Sequence, residues 1–326
     1  MEFPKTLMQA VTYFSDPQVS HEFMVDMRWP GGVRCPHCGH GEQYWIGTRR
    51  VWRCKSKACG KQFSVKSGTI FEDSPLPLDK WLLCVWLMVN AKNGISSYEI
   101  GRALGVTQKS AWFMGHRVRH ALRVGSFDKL DGDVEADETF IGGKAGKMHK
   151  ARRALALSAK RGPAGKAIVA GVVERGGEVR AEVLPAVSSR LVREHVEPGS
   201  NVYTDESRVY DNLGDGYRHA TVNHSEGQYV DGPAHTQNID NFWSLFKRCL
   251  KGTHVSVEPE HLQRYVDEEA YRYNERKGKD AGRFTAATGR VDGKRITYKN
   301  LTAVRAGRGP AKGSDWRTAS PGKAGA

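Results

Sequence analysis

The stretch DVEADETFIG, residues 133–142, decides the fold. Before it the chain reads as helices interrupted by a cysteine-rich segment; from about residue 131 it reads as strands. The period of two in a strand puts Glu135 and Asp137 on one face. A carboxylate inside a buried strand is costly unless it is paired or bound to a metal. Working outward, KAIVAGVVE and EVRAEVLPA follow as two strands joined by RGG, a hairpin signal. SSRLVREHV reads as a short helix closed by EPGS, NVYTDE as a strand ending near Asp205, and RHATVNH as a fifth strand. The order over residues 131–251 is β-β-β-α-β-(α)-β-α. That predicts an α/β domain with a mixed sheet flanked by helices, not a simple alternating array.

The last element of that series is HTQNIDNFWSLFKR, residues 235–248. Ile239, Phe242, Trp243, Phe246 and Leu250 recur at helical spacing and form an apolar face. Asp240 and Lys247 are seven residues apart, so they point within ~20° of each other, with Ser244 between them. An acid and a base so placed are ordinarily a solvated flank. Asp137 and Asp205 change the reading. The first strand, the fourth strand and the last helix each offer one carboxylate. Three hard oxygen donors from separate elements can hold two Mg2+ (or Mn2+) ions about 4 Å apart. One ion would activate a water or a 3′-hydroxyl, and the other would stabilise the leaving oxygen. Lys247, two turns along, is within reach of a phosphate. Glu135, on the face of Asp137, is a candidate assistant, and His235 a candidate to cap or orient the helix start.

Upstream, Cys35-Pro-His-Cys38 and Cys54-Lys-Ser-Lys-Ala-Cys59 form two knuckles. Four thiolates from two knuckles suit one tetrahedral structural Zn2+. Gly39 and Gly60 follow each second cysteine, where the backbone must turn around the metal. Trp52 and Phe63 can supply a small core, and a ribbon this short folds only with its metal. His37 lies inside the first knuckle as a competing ligand, but the all-cysteine set is preferred. Cys84 and Cys249 sit in apolar helical patterns and read as small core residues.

Residues 1–30 read as helical. PLPLDKWLLCVWLMVNAKNG reads as a helix capped by Asp79 and stopped by Gly94. SSYEIGRALGVTQKSAWFMGHRVRHAL reads as helix, tight turn at Gly105, helix; Thr107, Gln108 and Lys109 would then open a recognition helix for a DNA groove. The chain carries 326 residues and a formal charge of +14, which points to a polyanionic partner. From Thr139 to Val173 there are eight lysines and arginines and no acid, among them Lys144, Lys147, Arg152 and Arg153. Glycine and alanine dilute them, which predicts a mobile basic loop suited to phosphate contact. No apolar run reaches membrane-spanning length, and the N-terminus lacks a secretory signal. Cytoplasmic, nucleoid-associated residence is the expectation, with no membrane partner.

Taken together, RWPGGVRCPHCG, SGTIFEDSPLPLDKW, ADETFIGGK, VYTDE, HTQNIDNFWSLFKR and YRYNERK resemble the DDE-type insertion-sequence transposases that carry an N-terminal zinc ribbon before a ribonuclease-H-like catalytic domain. The resemblance runs from about residue 15 to 277. It implies an N-terminal helix and zinc ribbon over 1–72, a helix-turn-helix-like DNA-binding segment over 73–128, the catalytic domain over 129–277, and a basic, disordered tail over 278–326. It also implies an acid triad at Asp137, Asp205 and Asp240 with Lys247 seven residues on. The implied activity is cleavage of the element's inverted-repeat ends and joining of the 3′-hydroxyls to target DNA, by at least a dimer on DNA. The third acid in this family is most often glutamate. Asp240 is one methylene shorter, and Asn238 or Asn241 is the third ligand under another alignment; Asp240 is preferred because its register agrees with Lys247. The shorter acid leaves open a transposase-derived DNA-binding protein with a weakened site, and a ribonuclease-H-type nuclease without strand transfer is a further alternative.

Overall fold

The computed structural model describes residues 2–123, 128–142, 166–222, 230 and 232–302. Two short helices open the chain, α1 (Leu7–Phe14) and α2 (Pro17–Arg28). Asp16 caps α2 by accepting from Gln18 N–H, and Pro17 takes the first turn, where it lacks only a donor the helix does not use. A three-stranded antiparallel ribbon follows: β1 (Gln43–Ile46), β2 (Val51–Cys54) and β3 (Gln62–Phe63). Trp45, Trp52 and Phe63 stand in one row across it. That row docks on α2, with His21 stacked on Trp52 and the Trp29 edge against the same ring.

Helices α3 (Leu78–Asn90), α4 (Ser97–Leu104) and α5 (Gln108–Leu122) come next. The start of α3 corrects the sequence reading: Pro77 holds the cap position, and Asp79 sits in the first turn, where its charge favours the helix dipole. The turn between α4 and α5 is as expected. Ser96 and Glu99 form a capping box on α4, Gly105 ends it at φ 61°, and Thr107 caps α5.

The second half is a five-stranded mixed sheet in the order β6-β5-β4-β7-β8. Its strands are β4 (Asp133–Ile141), β5 (Ala167–Glu174), β6 (Val179–Leu184), β7 (Asn201–Asp205) and β8 (Arg218–Val222). β4 is antiparallel to β5 and parallel to β7. Alternation gives the sheet two buried faces. Val134, Ala136, Ile168, Val172 and Val202 pack on α6 (Arg190–His195) and the 3-10 turn Arg208–Leu213. Val169 and Val173 pack on α7 (Gln237–Cys249) and α8 (Leu262–Asn274). The aromatic face expected of HTQNIDNFWSLFKR is the buried one: Ile239, Phe242, Trp243 and Phe246 all lie in this core.

The two halves are tied by a buried charge network. Arg119 on α5 meets Glu268 on α8 at 2.5 Å, and Arg272 pairs with both Glu268 and Glu269. Burial pushes the Glu268 carboxyl up, but Arg119 and Arg272 outweigh it and hold it down at about 2.

The tail differs from the sequence expectation. Asp280–Gly289 forms a helix, α9, and Tyr298–Thr302 a last short turn, α10. Phe284 is fully buried among Phe3, Phe14, Phe23 and Trp86. One aromatic in a Gly/Ala/Thr-rich segment is a weak periodic signal, yet it fills the N-terminal core. Residues 303–326 lie outside the described residues. No described helix is long and apolar enough to cross a membrane.

Candidate functional site

In the ribbon, each knuckle turns on a glycine with positive φ, 76° at Gly39 and 56° at Gly60. The turns bring Cys35, Cys38, Cys54 and Cys59 together with all four sulfurs within 4.8 Å of one another. The Cys35–Cys59 and Cys38–Cys54 separations are 3.8 and 3.6 Å. A tetrahedral zinc with bonds of ~2.3 Å needs sulfurs ~3.8 Å apart, so this donor set fits Zn2+. His37 is not one of the group. Cys84 and Cys249 are buried core residues, as read from the sequence. Purified protein is expected to carry about one zinc per chain. Stripping it should expose Trp52 and red-shift tryptophan fluorescence; protein purified without zinc yet with a buried ribbon would refute the assignment.

The acidic cluster is built by strand register. β4 and β7 are parallel, with Val134 beside Val202 and Glu135 beside Tyr203. The same offset carries Asp137 level with Asp205, on the sheet face covered by α7. Asp240 rises from the first turn of α7, exposed at the edge of that face. The three are near enough to act on one another. Burial, then the charge of Asp205, with smaller contributions from Glu138 and Asp240, pushes the Asp137 carboxyl up to about 7. They are not drawn into one tight cage: among the described residues, only the four cysteines form a group of three or more metal-ligating side chains within 4.8 Å. Asp137 Oδ2 accepts a hydrogen bond from Trp243 Nε1–H at 2.9 Å. Asp205 Oδ1 accepts from Ser207 N–H at 3.1 Å, and Asp240 Oδ2 from the Thr236 hydroxyl at 3.1 Å. Glu138 faces the other side of the sheet, where it accepts from Tyr210 at 2.7 Å; burial raises it to about 7.

Glu135 does something the sequence reading did not anticipate. Thr236 stands at the N-cap of α7 without a capping side-chain bond. Glu135, fully buried on β4, replaces it: Oε2 accepts from the N–H groups of Asn238 and Ile239 at 2.7 and 3.1 Å. Those are two of the orphan donors that a helix start leaves. Oε1 accepts from Asn238 Nδ2 at 2.8 Å and Arg175 Nε at 2.9 Å. His235 is therefore not the cap; its Nδ1 lies 3.1 Å from the same oxygen, off the line of a hydrogen bond. Glu135 is occupied in seating α7, so the assisting role read from its strand face is corrected to one of anchorage. Arg175 fans across the joint, donating to the carbonyls of Pro233 and His235 and lying over the Tyr203 ring.

Beside Asp240 a groove of about 440 Å³ is lined by Asp240, Trp243, Ser244, Lys247, Arg248 and Lys251. Arg248 and Lys251 were not singled out from sequence, although Lys247 and Lys251 stand at i,i+4. Thr107, Gln108 and Lys109 are exposed at the start of α5; Gln108 Nε2 donates to Ser97, and the Lys109 ammonium lies 5.3 Å from the Tyr298 ring centre. Lys144, Lys147, Arg152 and Arg153, with most of the basic loop, lie outside the described residues.

A mixed sheet in this order, covered on both faces and preceded by a four-cysteine ribbon, defines a ribonuclease-H-like domain behind a zinc ribbon. Residues 129–274 match the ISXO2-like transposase domain, and residues 17–62 match the transposase zinc-ribbon domain. An uncharacterized transposase-like protein of Haemophilus influenzae is 34% identical over 102 residues, covering 30% of this chain and 81% of that one. An uncharacterized protein in the transposable element ISH50 of Halobacterium salinarum is 29% identical over 277 residues, covering 80% of this chain and 91% of that one. The chain belongs to the ISXO2-like family of insertion-sequence transposases.

Proposed function

We propose that this chain cleaves the inverted-repeat ends of its element and joins the freed 3′-hydroxyls to target DNA, with Asp137, Asp205 and Asp240 as the catalytic acids. The observation that carries the reading is the approach of Asp205 and Asp240 to a buried Asp137, whose carboxyl is raised to about 7 first by burial and then by the charge of Asp205. Such a cluster is a set of hard oxygen donors, which suits Mg2+ or Mn2+. When bound, the cations supply Lewis-acid activation of a water or 3′-hydroxyl and stabilise the leaving oxygen. The three aspartates hold them. Lys247, in the groove beside Asp240, holds the phosphodiester, and Arg248 and Lys251 extend its track. Thr107, Gln108 and Lys109 meet DNA from the start of α5, and the basic loop with Lys144, Lys147, Arg152 and Arg153 adds backbone contacts. Two ends must be held together, so the working form on DNA is at least a dimer, cytoplasmic and nucleoid-associated. The working division of the chain is ribbon, helical DNA-binding segment and catalytic domain.

The test is incubation of the full-length protein with duplexes carrying its element's ends and Mg2+ or Mn2+. Site-specific nicking at a 3′ end, absent in Asp137→Ala, is the expected result. Degradation without regard to sequence would make it a nuclease. The second reading, a DNA-binding descendant with a weakened site, draws on Asp240, whose short side chain stands outside any tight ligand group with its partners. Specific binding with no cleavage under either cation would favour it.

Lys247→Ala is expected to weaken DNA binding and lower the salt slope by about one, leaving Mn2+ affinity unchanged. Parallel loss of both would mark the lysine as structural.

A further inference from the structure

Gly171 is the direct cross-strand partner of Asp137, in the middle of buried strand β5. Its φ is not positive, so no backbone demand calls for glycine there. A glycine inside a strand forfeits ~0.5–1 kcal/mol and needs another reason. The reason is space. A Cβ at this position would sit 2.8 and 2.9 Å from two ring carbons of Trp243, and 2.9 Å from the Ile239 Cδ1 methyl. The indole therefore lies flush on the strand, 3% exposed, with its N–H on Asp137 Oδ2 at 2.9 Å. Any large apolar ring would fill this part of the core. Only tryptophan fills it and also presents a donor with no acceptor character.

We infer that Trp243 is a positioning residue for Asp137 and that Gly171 is the clearance it requires. The indole N–H fixes Oδ2 and so, together with the Glu138 backbone N–H that also meets this carboxylate, sets the plane in which it is offered to the cation. This is the outer hydrogen bond that a ligating carboxylate needs to keep its orientation. It rests on the reading of Asp137 as a cation ligand, and it assigns Trp243 a role beyond its place on the apolar face of α7.

The test compares zinc-loaded full-length wild type, Trp243→Phe, Gly171→Ala, the double variant and Asp137→Asn. Mn2+ binding is followed by calorimetry and stability by thermal melting. Phenylalanine keeps a ring on the strand and deletes the donor. Trp243→Phe is expected to weaken Mn2+ binding roughly ten- to a hundredfold. Gly171→Ala is expected to lower the melting temperature and weaken Mn2+ binding, because the ring cannot seat. In the double variant the smaller ring leaves room for the methyl. Its melting temperature should therefore fall by less than the sum of the single losses, while Mn2+ binding stays weak. Wild-type Mn2+ affinity in Trp243→Phe, with Asp137→Asn still deficient, would overturn this inference and leave the cation site standing. Wild type and Asp137→Asn both failing to bind Mn2+ would remove the cation site, and the inference with it.

Discussion

Asp137→Asn should make the cation-free protein more stable at pH 8 while removing end cleavage. The two effects share one cause. Burial, then the charges of Asp205, Glu138 and Asp240, raise this carboxyl from 3.8 to about 7. An acid raised in the folded state binds its proton more tightly there than in the unfolded chain. Its contribution is therefore fully favourable below pH ~4 and is lost as pH climbs through ~7. Above that, the ionised carboxylate costs the fold on the order of 4 kcal/mol. Asparagine has no charge to bury, and its amide oxygen still accepts from Trp243 Nε1–H. Urea unfolding from pH 5 to 8, without added divalent cation and with zinc left in place, should show a gap between variant and wild type that widens with pH. Adding Mg2+ should close the gap from the wild-type side only. A gap that does not change with pH would mean that Asp137 ionises as readily in the fold as in the open chain. The buried site would then hold no unmet negative charge.

Glu135→Gln should be among the most destabilising single changes in the sheet domain, although the residue touches no substrate in the proposed reaction. The carboxylate is fully buried, pairs with Arg175 and caps two N–H groups of α7. Removing one partner of a buried ion pair costs about 3–5 kcal/mol. For a domain of this size that is a melting-temperature loss of roughly 10 °C. The amide nitrogen also turns a donor toward groups that are themselves donors. Because α7 carries Asp240, Trp243 and Lys247, end cleavage should fall further than the folded fraction alone explains. Arg190→Ala is the contrast. It breaks a half-exposed pair with Glu182, of the class worth about 0–1 kcal/mol, and should melt close to wild type. Similar melting of Glu135→Gln and wild type would show that α7 is seated by its aromatic face and not by the carboxylate.

Legibility in the sequence followed the range of each signal. The knuckles were readable because two cysteines with a following glycine bend the backbone locally, whatever surrounds them. The order of strands and helices from Asp133 to Cys249 was readable from periods of two and 3.6 and from turn residues. The helix over 280–289 was not, because its one buried aromatic, Phe284, gains its meaning from Phe14 and Trp86 far along the chain. Gly171 is a lone glycine in the run KAIVAGVVE, and nothing nearby says that a tryptophan 72 residues on uses the space it leaves. Glu135 shows the same limit. Its face was legible; its partners Asn238 and Ile239 depend on where a helix lands on the sheet.

By itself, then, the sequence determined the order of elements from Asp133 to Cys249, which four thiols can share a zinc, and that Asp240 and Lys247 emerge on one side of one helix. These are consequences of backbone geometry within a few residues. The tertiary structure alone decided that Asp137 and Asp205 stand level, that Glu135 is spent on seating α7, and that Trp243 reaches Asp137 across Gly171. Each depends on the register of one element against another. That register is set by packing summed over a whole interface, so no local spacing encodes it.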